Sequence, residues 1–150
     1  MQKISKSIAT LFFVGFSPIA PGTVASLLAI VVYLLVKDNI FIYFFLTMFL
    51  LILGFWSANR ARKDFPDKDP AQIVIDEFSS MLLVYFFIPF NPKFLIIGLI
   101  LFRFFDISKI PPLKRLEELP AGFGIMLDDI AAAVLANLVL QVLRFFPAFS

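Results

Sequence analysis

Four carboxylates dominate the chemistry this chain can perform. Asp76 and Glu77 stand just inside one apolar run, and Asp128 and Asp129 stand at the head of another. A charge at the centre of a bilayer costs roughly 2.5–3.5 kcal/mol, so four deep, unpaired carboxylates would cost on the order of 10 kcal/mol. Two acidic pairs on separate segments offset that cost if they share a divalent cation with oxygen ligands. Magnesium fits, because it keeps several waters and takes one or two carboxylates. Arg103 and Lys109, with Lys114 or Arg115 beyond them, supply cations for a phosphate, and Arg matches phosphate oxygens in a bidentate fork. Thr23 and Ser26 open a further apolar run and can add hydroxyl or backbone donors to the same anion. A metal beside phosphate-binding cations, level with lipid headgroups, implies phosphoryl chemistry on a lipid. The metal delivers a water, and the cations carry the charge that spreads over the phosphoryl oxygens.

Each of these residues has a plainer reading. Asp128 and Asp129 at a helix start are favoured by the macrodipole alone. Asp106 can pair with Arg103 or Lys109, both three residues away. Asp76 and Glu77 are expected about a turn and a half into a helix, where a short Asp snorkels poorly. The conjunction carries the signal. The chain has no His and no Cys, which excludes Ser-His-Asp catalysis, thiolate nucleophiles and His-ligated zinc. There is no phosphate-binding G-x-x-x-x-G-K-[ST] loop. Gly122-Phe123-Gly124 reads as a turn between a loop and a helix.

The elements that must position these residues are helices in a membrane. The 150 residues are 61% hydrophobic, against about 45–50% in a soluble domain. The pattern predicts an all-α, polytopic membrane bundle forming a single domain over residues 1–150. It has about five membrane-embedded helices and a short N-terminal interfacial segment. Lys3 to Phe16 forms that segment; its basic start and apolar core also resemble a signal peptide. Pro18, Pro21 and Gly22 then break the chain, and Thr23 is placed to cap a helix over Val24 to Val36, which is short for a crossing. Ile40 to Ala58 is a spanning helix. Asp69-Pro70 starts a third helix running to about Ile88. A fourth covers roughly Lys93 to Ile107, a loop spans Pro111 to Gly124, and the last helix runs from near Met126 to near Phe146.

Lys and Arg crowd one side of this arrangement. Lys3, Lys6, Arg60, Arg62, Lys63, Lys68, Lys109, Lys114 and Arg115 fall on the side of the N-terminus, against Lys37, Lys93 and Arg144 opposite. The first side is therefore cytoplasmic, and the acids, Arg103 and Thr23 all come to that face. A divalent-cation channel or transporter is the alternative; it calls for polar residues at mid-membrane, where the helices offer few. An accessory subunit without chemistry leaves the convergent charges unexplained. The net charge of +2 comes with no basic stripe, which argues against a nucleic-acid partner.

The stretch Phe102-Arg103-Phe104-Phe105-Asp106-Ile107-Ser108-Lys109, with Gly122-Phe123-Gly124-Ile125-Met126-Leu127-Asp128-Asp129, resembles the phosphatidylglycerophosphatase A family. So do Ile75-Asp76-Glu77-Phe78 and Pro21-Gly22-Thr23 followed by Ser26, and the motifs appear in the family's order. The resemblance implies a magnesium-dependent membrane phosphatase that converts phosphatidylglycerophosphate to phosphatidylglycerol. It makes Asp76, Glu77, Asp128 and Asp129 the metal and water-activating candidates, and Arg103, Asp106 and Lys109 the phosphate-side candidates. It places the protein in a bacterial inner membrane, multi-pass, with the active site facing the cytoplasm, and allows a homo-oligomer. Ser80, Ile110, Ala121 and Ala132 depart from the family pattern as read here. They affect backbone geometry rather than charge, and leave room for a phosphatase acting on another lipid phosphate.

Overall fold

The computed structural model describes residues 2–67, 70–117, 119 and 122–147. Among them every regular element is helical: α1 (Gln2–Ala9), α2 (Pro21–Val36), α3 (Ile40–Ala61), α4 (Ile75–Val84), α5 (Pro92–Ser108), α6 (Pro111–Glu117) and α7 (Gly122–Leu143). The expected Asp69 cap, Pro120 and Ala121 lie outside the described residues, as does the side chain of Lys114.

Two helices are long and apolar enough to cross a membrane by themselves, α3 with the 3-10 turn that follows it (Ile40–Asp64) and α7 (Gly122–Leu143). The 16 residues of α2 and 17 of α5 reach about 24–26 Å, and the ten of α4 about 15 Å. The all-α expectation holds among the described residues, where two helices, against the expected five or so, have the length and apolarity of a span. α4 is central and packs against α7, α2 and α3. Small residues make the close approaches: Ala25, Ala29, Ala58, Ala132, Ala133 and Ala136 are fully buried, as expected where helices meet without an aqueous driving force.

Four boundaries depart from expectation. α2 begins at Pro21 rather than after Thr23. Ala20 is the N-cap at φ 42°, and Thr23 lies in the first turn with its amide bonded to the Ala20 carbonyl at 2.9 Å. α4 begins at Ile75 instead of Pro70. Residues 70–73 form a hydrogen-bonded turn, and the Ala9 carbonyl captures the Val74 amide at 2.9 Å. α7 begins at Gly122, and a short α6 occupies part of the expected loop. The acidic pairs therefore exchange places. Asp76 and Glu77 lie in the first turn of their helix. Asp128 and Asp129 lie nearly two turns inside theirs, beyond the reach of a simple macrodipole account.

α4 also ends early, at Val84 rather than near Ile88. Side chains of α7 satisfy the carbonyls this exposes. Asn137 Nδ2 donates to the Val84 and Phe86 carbonyls, each at 2.9 Å, and Gln141 Nε2 donates to Phe86 at 3.3 Å. Tyr43 donates its hydroxyl to the Leu82 carbonyl, and Tyr85 to that of Leu95 at 2.9 Å. In an apolar phase each orphaned carbonyl would be costly, so a helix can stop there only with such partners. Beyond this break, Lys37 stacks on Phe90 at 4.7 Å and Arg144 donates to the Phe87 carbonyl at 3.2 Å. Asn137→Leu should lower stability by about 1–3 kcal/mol, read as a fall in the thermal midpoint in detergent. The exposed neighbour substitution Val134→Leu should leave it within error. An unchanged midpoint in Asn137→Leu would contradict the capping role.

Candidate active site

The opposite end of the bundle gathers the charged residues. α4 contributes Asp76 and Glu77 from its first turn, α7 contributes Asp128 and Asp129, and α5 contributes Arg103, Asp106 and Lys109 from its C-terminal end. Together with Pro70, Ala71, Ile73 and Ile107 they line one cavity of about 210 Å³. Those four liners carry no chemical signature by which the sequence could have marked them.

Within the cavity the carboxylates divide into two groups. Oxygens of Asp76, Glu77 and Asp129 all lie within 4.8 Å of one another. Asp128 stands apart: its Oδ1 accepts the Asp129 amide at 3.1 Å, and its Oδ2 lies 3.6 Å from Lys109 Nζ. Asp76 and Asp129 are only 5% and 3% exposed. Glu77 Oε2 and Asp129 Oδ2 are buried with no hydrogen-bond partner among the described residues. Buried carboxylate oxygens in that state need a cation or ordered water. Magnesium–oxygen bonds of about 2.1 Å place ligand oxygens at most about 4.2 Å apart. The trio would close by roughly half an ångström to hold such an ion, within the freedom of side-chain torsions. The donor set therefore fits a hard divalent cation.

Arg103 approaches the trio at Glu77. Its Nη1 lies 2.7 Å from Asp106 Oδ2 and 3.6 Å from Glu77 Oε1. Asp106 therefore makes the i,i+3 pair and positions the guanidinium. Arg103 Nε remains buried without a hydrogen-bond partner among the described residues. Lys109 ends α5 in the left-handed region at φ 40°, and its ammonium reaches Asp128 rather than Asp106.

α2 meets the site through Gly22. A Cβ there would overlap Glu77 Oε1 and come within 3.0 Å of Arg103 Nη1. This backbone approach is the role of the Pro21-Gly22-Thr23 motif. Thr23 lines a neighbouring groove beside Arg103. Ser26 is fully buried and donates its hydroxyl to the Gly22 carbonyl at 2.9 Å, steadying that turn. Gly122, expected in a turn, lies in the first turn of α7 against α3. A Cβ there would meet the Asn59 backbone, with Cα at 2.5 Å. The Gly122 amide donates to Asn59 Oδ1 at 3.4 Å.

The sequence profile of the family described as Phosphatidylglycerophosphatase A matches residues 7–144. The chain belongs to the phosphatidylglycerophosphatase A family. A Bacteroides thetaiotaomicron protein, provisionally named phosphatidylinositol-3-phosphatase, is 33% identical over 91% of both chains. Phosphatidylglycerophosphatase A of Haemophilus influenzae is 35% identical over 85% of this chain and 80% of its own. That of Escherichia coli is 33% identical over 86% of this chain and 77% of its own. No solved structure matches significantly.

The two glycine contacts predict different failures. Gly122→Ala pushes a methyl into backbone, which cannot yield, and should cost about 1–3 kcal/mol of stability. Gly22→Ala pushes against side-chain ends, which can move. It should leave the thermal midpoint nearly unchanged while lowering phosphatase turnover at least about tenfold, because Glu77 and Arg103 must separate. Full turnover in a folded Gly22→Ala protein would show that this contact does not set the geometry.

Proposed function

We propose that this protein is a magnesium-dependent phosphatase that removes the terminal phosphate of phosphatidylglycerophosphate at the cytoplasmic face of a bacterial inner membrane. One observation carries the reading: three clustered carboxylates from α4 and α7, the buried Asp76 and Asp129 and the half-buried Glu77, share a cavity with Arg103 and Lys109. Membership of the family supports the reaction class. The names of the relatives divide between phosphatidylglycerophosphatase and phosphatidylinositol-3-phosphatase. Both describe loss of a phosphate from a phospholipid headgroup, so the substrate choice is read from the two relatives named for phosphatidylglycerophosphate.

Asp76, Glu77 and Asp129 would hold the ion, which supplies Lewis-acid polarisation and a water of lowered pKa. The chain's own residues do the rest. Arg103, oriented by Asp106, binds non-bridging phosphoryl oxygens and stabilises the charge that develops there. Lys109, held by Asp128, lines the same cavity as a second positive charge. Water attacks phosphorus as the P–O bond to the lipid alcohol breaks. A carboxylate takes the water's proton, and the lipid alkoxide recovers one. Phosphatidylglycerol and inorganic phosphate leave.

In the same reading α2, α3, α4, α5 and α7 are all membrane-embedded, and α1 lies in the interface. α4 and the turns after it reach the far face as a broken crossing. The distribution of Lys and Arg favours the carboxylate end as cytoplasmic. Exposed Phe12, Phe13 and Ile19 suit a loop seated among headgroups. The absence of Cys makes a direct topology test available. Ser108→Cys should react with an impermeant maleimide only from the cytoplasmic side, and Asp38→Cys only from outside. The reverse pattern would invert the orientation.

Phosphate release from phosphatidylglycerophosphate and from phosphatidylinositol 3-phosphate, with magnesium or with chelator, tests the chemistry. Wild type should prefer the first substrate and lose activity on chelation. Asp76→Asn and Asp129→Asn should each lose at least about 100-fold, roughly 2.7 kcal/mol of transition-state stabilisation. Unchanged rates in folded variants would remove these acids from the mechanism, and a preference for the inositol lipid would reassign the substrate.

A further inference from the structure

A lipid phosphate cannot bring its headgroup to a buried cavity unless an apolar passage connects that cavity to the acyl phase. Withdrawing acyl chains from the bilayer would forfeit about 0.8 kcal/mol per CH₂. One groove meets this requirement. It has a volume of about 570 Å³, is open along its length, and runs between the first turn of α2 and the C-terminal half of α5. Its walls are Thr23, Leu99, Ile100 and Phe104, with Arg103 and Ile107 shared with the carboxylate cavity. Ile100, Phe104 and Ile107 follow i, i+4, i+7 spacing, so they form one stripe along α5. All three are well exposed, at 62%, 59% and 69%. Arg103 stands where the apolar stripe meets the carboxylates. Another cavity, about 270 Å³ beside Ser17 and Gln72, touches the site at Ala71 alone.

We propose that this groove binds the glycerol backbone and proximal acyl carbons of the phospholipid monoester whose phosphate occupies the carboxylate cavity. The inference rests on the phosphatase reading and adds the route and posture of the substrate. The lipid enters sideways from the bilayer, its first acyl carbons lie on Ile100 and Phe104, and its phosphate turns inward past Arg103. Thr23 stands beside the ester region, where a hydroxyl suits the glycerol oxygens. The exposed apolar stripe beside the phosphate cavity suits a diacyl lipid rather than a soluble phosphate ester.

The test fills the groove from a position remote from the chemistry. Ile100→Trp places an indole in the stripe. Ile96→Trp, one turn earlier on the same helix, is equally exposed at 64% and lies outside the groove, so it serves as the control. The readout is the ratio of kcat/KM for long-chain phosphatidylglycerophosphate to kcat/KM for its deacylated headgroup, in mixed micelles. A ratio insulates the result from losses of folded protein. Ile100→Trp should lower the ratio at least tenfold, while Ile96→Trp should keep it within twofold of wild type. A fall of less than fivefold in Ile100→Trp, or equal falls in both variants, overturns the proposal and assigns the groove to bulk lipid. Wild type that releases phosphate from neither substrate instead sinks the phosphatase reading, and the groove proposal with it.

Discussion

Mutual repulsion among Asp76, Glu77 and Asp129 is the constraint around which this bundle is arranged. Their oxygens lie within 4.8 Å of one another. At an effective dielectric of about 20, two full charges at that distance repel by about 3.5 kcal/mol, and three such pairs by roughly 10 kcal/mol. The Arg103 guanidinium, 3.6 Å from Glu77 and already paired with Asp106, offsets only part of that. The fold nonetheless presses the acids together. α4 and α7 pack closely, the Ala9 carbonyl anchors the start of α4, and Gly22 admits the backbone of α2 against Glu77. A divalent ion, as proposed, would turn this repulsion into coordination.

The rest of the molecule keeps its polar groups away from that end. The break after α4 is sealed by Asn137, Gln141, Tyr43 and Tyr85, all donating to main-chain carbonyls. These four polar groups are spent on backbone. A conduction path would instead leave polar atoms facing a continuous channel. The cavity that does hold charge has its carboxylates on one side and an apolar groove on the other, with Arg103 shared between them.

Residue chemistry was the most legible part of the sequence. Intramembrane acids are expensive, and pairing them across helices predicted the encounter of Asp76 and Glu77 with Asp129. The i,i+3 spacing left Asp106 a choice between Arg103 and Lys109, and the structure pairs it with Arg103. Helix boundaries were less legible, because tertiary contacts set them. Nothing local indicates that Val74 bonds to Ala9, or that Gly122 opens α7 against Asn59, which leaves no room for a side chain. The division between Asp128 and Asp129 was also hidden, since adjacent residues on a helix point about 100° apart and either can face the cavity. Asn137 was overlooked although it carried a signal: a lone amide within an apolar run requires a partner, and a broken neighbouring helix provides one.

The most direct test is binding of the ion itself. Manganese, a paramagnetic stand-in for magnesium, can be titrated into the purified protein and followed by electron paramagnetic resonance, without any substrate. Wild type is expected to bind one ion per chain, and Asp129→Asn to bind at least about tenfold more weakly while remaining folded. Equal affinity in the two proteins, or no binding to wild type at millimolar manganese, would contradict a centre built on these carboxylates.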